Sequence, residues 1–200
     1  MKIVIVGASG TIGQELVKSL ENENEIVKVG FSKGDYTIDM TSQESIENMF
    51  KQIGDFDAVI SAAGDAKFAP LNDLSYEDYE YTFKNKLMGQ VNLYLTGRKY
   101  AKPNTSFTFT SGILAHEPME GSAAVSMINS GLEAFAKAAA LESGDIRINV
   151  VSPVFAKETL DLWGMDSTGA TAAKEFVPAY KASYEETGFN GKTILVSDYI

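Results

Sequence analysis

Apolar residues along the chain gather in short β-branched runs: KIVIV (2–6), IVKVG (26–30), DAVIS (57–61), SFTFTS (106–111), IRINVV (146–151) and KTILVS (192–197). Between them lie longer stretches of helical period, near 11–21, 42–52, 76–100, 122–142 and 170–186. This alternation predicts βαβ units around a parallel sheet, because each crossover between parallel strands uses a helix that covers a sheet face. Two helices carry capping-box signals, Thr41 with Glu44 and Ser75 with Asp78. After IVKVG only FSKGDY precedes TIDM, too little for a crossover helix. A brief extra strand at 36–39, joined by a turn or an abbreviated connection, is expected there. The fold class is therefore α/β: a Rossmann-like α/β/α sandwich with a parallel sheet of six or seven strands, forming one domain over residues 1–200. In such a sheet a ligand binds outside the carboxyl ends of the strands, here at the switch between the first strand and DAVIS.

Composition narrows the chemistry. Of 200 residues, 44% are hydrophobic and 22% charged, which suits one globular domain with a sizeable core. There is no Cys, so disulfides and thiolate chemistry are excluded, and with a single His a metal site of the usual His/Cys type is not expected. A formal net charge of −10 repels the phosphates of nucleic acid and of an anionic membrane. A small anionic cofactor stays compatible with that charge, because backbone amides bind it locally. The opening MKIVIVGASG has one Lys and an apolar run too short for a spanning segment, with no small-residue cleavage site of a signal peptide, and it reads as a buried strand in a cytoplasmic protein.

The stretch VIVGASGTIGQEL places Gly7, Gly10 and Gly13 directly after a strand and at the start of a helix. Gly7 allows a tight turn, Gly10 lets the backbone approach a pyrophosphate, and Gly13 permits close packing of helix on sheet. The helix start, including Ile12, supplies amide donors and the positive end of its dipole, and Ser9 and Thr11 add hydroxyls. Specificity between nucleotides depends on the end of the second strand. There VGFSKGD offers Gly30, Phe31, Ser32 and Lys33 before the first carboxylate, Asp35. With no acid in place for a ribose 2′-OH, NADP is favoured over NAD, Ser32 donating to a 2′-phosphate and Lys33 adding a point charge. The same Ser-Lys-Gly-Asp also reads as an ordinary surface turn.

Several motifs in chain order resemble the short-chain dehydrogenase/reductase family, from the first strand to about Thr159. GASGTIG resembles its glycine loop, with the middle glycine one place early. IDM puts Asp39 at the position that contacts adenine. SAAG, with Ala62, Ala63 and Gly64, resembles an Asn-Asn-Ala-Gly motif that has lost both Asn. FKNKLMG puts Asn85 at the family's active-site Asn, and FTFTSG puts Ser111 at its catalytic Ser. IRINVVSPVFAKET matches at Asn149, Pro153 and Thr159, with Val154 in place of Gly.

The resemblance fails where the chemistry is densest. Aligning LEAFAKAAALE with the family's helix puts Val125 at the catalytic Tyr and Asn129 at the Lys, and no Tyr-x-x-x-Lys occurs anywhere in the chain. In the family that Tyr is the general acid/base, its pKa of about 10 lowered by the neighbouring Lys, which also holds the nicotinamide ribose. Asn129 can still hydrogen-bond ribose hydroxyls, and Ser111 with Asn85 can polarise a carbonyl or order a water. His116, in GILAHEPMEG, reads either as a solvated loop residue or as the missing acid. The aromatics Tyr76, Tyr79, Tyr81 and Phe83 read as packing on a long helix, and 160–176 as a substrate lid or a surface connection.

Two functions follow. One is an NADP-dependent oxidoreductase of short-chain type acting on a small carbonyl or alcohol. The other is a non-catalytic NADP(H)-binding sensor. The family resemblance further implies a homodimer or homotetramer, built on the helices at 76–100 and 122–142.

Overall fold

A computed structural model describes residues 1–200. At its centre lies β1 (Lys2–Val6), whose period-two alternation sends Ile3 and Ile5 to one side and Val4 and Val6 to the other. Around it run β2 (Glu25–Gly30), β3 (Tyr36–Thr37), β4 (Ala58–Ser61), β5 (Ser106–Thr110), β6 (Arg147–Ser152) and β7 (Thr193–Leu195). All pairs are parallel and the order is β3-β2-β1-β4-β5-β6-β7, so the sheet has seven strands. Strand order reverses at β1/β4, which is the expected switch point.

Helices cover both faces. Leu16 and Leu20 of α1 (Thr11–Leu20) and Tyr180 of α7 (Val177–Glu185) pack on the Ile3/Ile5 face. Phe50 of α2 (Gln43–Ile53), Leu93 of α4 (Gly89–Gly97) and Leu132 of α5 (Ala123–Ala140) pack on the Val4/Val6 face. Phe50, Phe56, Tyr94 and Phe107 form a run of tilted and edge-on aromatic pairs beneath α4.

Several local expectations are corrected. The strand near 36–39 is only two residues long and pairs parallel to β2 without a helix between them. The five-residue link is folded back by Gly34 at φ +143° and by Asp35, whose amide and carboxylate both bond the backbone of Lys28, at 2.7 and 2.8 Å. Ser42, not Thr41, caps α2, accepting from the Ser45 amide, while Thr41 donates to Asp39. The box at Ser75 and Asp78 forms as expected at the start of α3 (Tyr76–Thr82). Tyr76, Tyr81 and Phe83 do not pack inward but stay exposed. The segment after β6 contains a short helix, α6 (Lys157–Leu162), that the hydrophobic pattern does not mark.

The helix expected over 76–100 is not continuous. α3 and α4 are joined by a π-helical turn at Phe83–Met88, which adds a residue to the turn and rotates the side chains on either side of it. Just beyond the turn, Gln90 is fully buried. Its side chain accepts from the Thr110 amide at 3.0 Å and donates to the Thr110 carbonyl at 3.0 Å. We expect Gln90→Leu to destabilise the fold by about 2–4 kcal/mol in urea unfolding, since it strands a buried N–H and C=O at the end of β5. A midpoint equal to wild type would contradict this reading.

Candidate active site

The loop after β1 is fixed by glycine. Gly7 sits at φ +86°, and a Cβ there would lie 2.7 Å from the Ala62 carbonyl oxygen of the neighbouring strand end. At Gly13 a Cβ would fall 2.0 Å from the Gly7 carbonyl oxygen, so the first turn of α1 lies directly on the loop before it. The helix is capped by Gly10 with no side-chain partner. The amides of Thr11, Ile12 and Gly13, which precede the first intrahelical bond, therefore point outward as donors. Ser9 is exposed and offers its hydroxyl beside them.

Two adjoining clefts open along the carboxyl ends of the strands, and both are lined by Ala63 and Gly64. The first, of about 440 Å³, is walled by Gly7, Gly30, Phe31, Asp39 and Asn85. Gly30 admits no side chain, because a Cβ would sit 2.3 Å from the Lys33 carbonyl oxygen. Phe31 is 82% exposed and offers a flat apolar surface at the rim. Ser32 and Lys33 stand in the solvent on the same loop, outside the wall of the cleft.

The second cleft, of about 330 Å³, brings together Ile12, Ala62, Ser111, Asn129, Pro153 and Thr159. Val125 lines it too, one helical turn before Asn129 on α5, and a patch of Phe68, Phe155 and Trp163 gives it an apolar mouth. Asn129 is 2% exposed; its amide nitrogen reaches the Gly112 carbonyl only at 3.4 Å and its Oδ1 has no partner. A buried acceptor in that state has a strong claim on a donor from whatever fills the cleft.

Two of the residues expected to be catalytic lie elsewhere. Asn85 does not face Ser111: it donates to the Tyr81 carbonyl at 3.0 Å and borders the first cleft. The π-turn brings the next residue, Lys86, into the second cleft instead, with Nζ 3.4 Å from the Ser111 carbonyl oxygen. Gly64, at φ +126°, makes room for it, since a Cβ there would lie 3.1 Å from the Lys86 Cγ. Desolvation lowers the Lys86 ammonium from the usual lysine range to about 8, and the Asp65 carboxylate pulls it back only in part.

His116 likewise stands outside the cleft wall and contacts Glu133 at 3.1 Å. Glu133, 4% exposed, also accepts the Ser111 hydroxyl proton at 2.8 Å. Ser111 Oγ–H is thereby engaged, and the hydroxyl presents lone pairs to the cleft. Asn149 is purely structural, holding the Ser183 and Phe189 carbonyls and the Lys192 amide around β6. Glu133 had a sequence signal, since it is the acid spaced four and eight residues after Asn129 and Val125 on one helix face. Lys86 had none apart from lying beside Asn85.

Comparison with known proteins decides the family. A family model described as enoyl-(acyl carrier protein) reductase matches residues 1–181. A solved structure, the protein lin1944 from Listeria innocua, superposes with a TM-score of 0.92 at 38% identity, covering 98% of this chain and 99% of that one. The chain belongs to the short-chain dehydrogenase/reductase family. This family likeness extends to a small-chain dehydrogenase in complex with NADPH, at TM-score 0.87 and 27% identity over 98% of this chain and 95% of the other. General stress protein 39 of Bacillus subtilis is 26% identical over 204 residues, covering 92% of this chain and 70% of its own length. No helix of this short-chain dehydrogenase/reductase is long and apolar enough to cross a membrane.

Glu133 is the shared acceptor of Ser111 and His116, so Glu133→Ala leaves the buried Ser111 hydroxyl with only the Val151 carbonyl, at 3.5 Å, to bond. A loss of about 1–3 kcal/mol is expected in urea unfolding. An unchanged midpoint would show that Glu133 is not held as described.

Proposed function

We propose that the protein is an NADP-dependent oxidoreductase that interconverts a small carbonyl compound and its alcohol, with a substrate whose body is apolar or aromatic. The observation that carries this reading is the pair of clefts sharing Ala63 and Gly64, with the free amides of the glycine loop beside them. A dinucleotide needs that layout: a flat wall for the base, donors for the pyrophosphate, and a second chamber for the reactive ring.

The residues fit the cofactor. Phe31 and Asp39 border the base side, and Thr11, Ile12 and Gly13 offer amides to the diphosphate. The unpaired Oδ1 of Asn129 accepts from a ribose hydroxyl, replacing part of the role of the lost lysine. The preference for NADP over NAD rests on the end of β2. Asp35, the first carboxylate after that strand, is tied to the Lys28 amide and unavailable to a 2′-hydroxyl, whereas Ser32 and Lys33 are exposed beside the cleft. When bound, the nicotinamide supplies or accepts the hydride. The Phe68, Phe155 and Trp163 patch excludes water from that end and selects an apolar substrate body.

Loss of the catalytic Tyr favours a second reading, a cofactor sensor without turnover, because Val125 occupies the cleft with no proton to exchange. A small uncharged strip on α5, formed by Ala123, Met127, Ser130 and Ala134, is exposed and suits self-association. We place the dimer there, and sedimentation should give twice the 21.7 kDa chain mass; a monomer at micromolar concentration would remove this point.

Cofactor fluorescence titration tests the binding claim. NADPH should bind at least about tenfold more tightly than NADH, and Lys33→Glu should bring the two together, since a hydrogen bond to a charged group is worth about 1.5–3 kcal/mol. Gly13→Ala should lose NADPH binding, because the added methyl meets the Gly7 carbonyl oxygen at 2.0 Å. Equal affinities in the wild type would remove the NADP preference. NADPH consumption with any aldehyde or ketone separates the enzyme from the sensor.

A further inference from the structure

We infer that Lys86 is the proton donor of this active site, delivering a proton from Nζ to the substrate oxygen in the position left without a tyrosine. The inference rests on the oxidoreductase reading above and adds to it the group that completes the reaction. Hydride addition to a carbonyl carbon leaves an alkoxide, which must gain a proton. Neither Val125 nor Asn129 can supply one at neutral pH. His116 lies outside the cleft, and the Ser111 proton is held by Glu133.

Five structural features converge on Lys86. The π-turn at Phe83–Met88 rotates it into the chamber that Ser111 and Asn129 line, whereas Asn85 faces the other one. Gly64 is side-chain-free where a Cβ would press on its stem. Gln90 donates weakly to the Lys86 carbonyl at 3.4 Å while clamped to Thr110, so the backbone of Lys86 is referenced to the end of β5. Its Nζ makes a single long bond, to the Ser111 carbonyl, which leaves two N–H groups for a ligand. No carboxylate pairs with it within salt-bridge distance; the nine ion pairs of the chain leave it out.

The step balances. The carbonyl carbon gains a hydride from the reduced nicotinamide, which is oxidised, and the carbonyl oxygen gains the Nζ proton while nitrogen keeps the electron pair. The neutral amine is then reprotonated from water. In the reverse direction the neutral amine removes the alcohol proton. Charged and titratable groups near Lys86 are few. Asp65, in the loop after β4, holds the Tyr81 hydroxyl at 2.6 Å and lines the same cleft. Glu133 of α5 and His116 lie behind Ser111. From α6, its C-cap and the segment before it come only Thr159, Trp163 and apolar side chains. A desolvated ammonium near pH 8 releases its proton far more readily than an exposed lysine, and that suits a general acid working near neutrality.

The test uses wild type, Lys86→Met and Lys86→Arg, with NADPH and 4-nitrobenzaldehyde as the probe, backed by a panel of further aromatic aldehydes. Wild-type turnover should be level at low pH and fall about tenfold per unit above pH 8. Both variants should lose at least about 100-fold at pH 7 while NADPH affinity, read by fluorescence, stays within about threefold. Arginine keeps the charge but does not give up a proton, so it separates an acid from a fixed cation. A second readout needs neither cofactor nor substrate. The folded lysine titrates near 8 and the unfolded one near the usual lysine value, so wild-type stability rises with pH through that window and the Met variant's does not. The Tm advantage of Lys86→Met over wild type should therefore shrink from pH 7 to pH 9.5. A constant Tm difference, or an Arg variant keeping more than a tenth of wild-type activity, overturns the assignment. Wild type that binds NADPH but reduces no aldehyde, with the shrinking Tm difference still present, instead overturns the oxidoreductase reading, and the proton-donor role falls with it.

Discussion

Buried against the end of β5, the Gln90 carboxamide makes one donated and one accepted bond to the backbone of Thr110, at 3.0 Å each. That pair of bonds ties the central helix α4 to the strand that carries Ser111, at the sheet edge where the ligand clefts open. Thr110 is fixed from its other side as well, its hydroxyl bonded to the Ser61 carbonyl at 2.6 Å and to the Tyr180 hydroxyl at 2.7 Å. Strands β4 and β5 and helices α4 and α7 thus meet on one residue. Burial makes these bonds hard to exchange for water, since a broken one leaves an unsatisfied group. The positions of Ser111 and of the π-turn follow from this fixed point.

The site combines two different kinds of constraint. On the cofactor side it is almost entirely backbone: glycines at 7, 13, 30 and 64 keep side chains out of spaces where a Cβ would meet a neighbour at about 3 Å or less. That part of the family's binding apparatus survives, since amides and carbonyls do not depend on side-chain identity. On the substrate side the constraint is chemical and has changed. Val125 and Asn129 of α5 line the cleft where the family resemblance puts a phenol and an ammonium, while an ammonium enters it from the turn between α3 and α4. Net charge leaves the phosphate-binding task to local donors, because the chain as a whole is acidic.

The sheet, its strand runs and the glycine loop were legible in the sequence because they rest on local signals: β-branched runs, and glycines at a strand-to-helix junction. Much of the site was not, because it depends on rotation within elements. The apolar pattern of 76–100 is compatible with one straight helix, and nothing in FKNKLMG announces a π-turn that sends Asn85 and Lys86 to different clefts. Capping shifted by one residue, from Thr41 to Ser42, for a related reason: adjacent hydroxyl residues both satisfy the pattern, and Asp39 decides between them by engaging Thr41. His116 was an isolated titratable residue in the sequence, whereas in space it is one end of a chain through Glu133 to Ser111.

The central claim is that this chain retains a complete dinucleotide site whose reactive end is furnished by Ser111, Asn129 and Lys86 rather than by a tyrosine and lysine on α5. A crystal structure of the protein grown with saturating NADPH tests it most directly. The account predicts the base against Phe31 and Asp39, the diphosphate on the amides of residues 11–13, a ribose hydroxyl on Asn129 Oδ1, and the nicotinamide in the cleft that Lys86 enters. Empty clefts at saturating NADPH, or a nicotinamide directed away from Ser111 and Lys86, would contradict it.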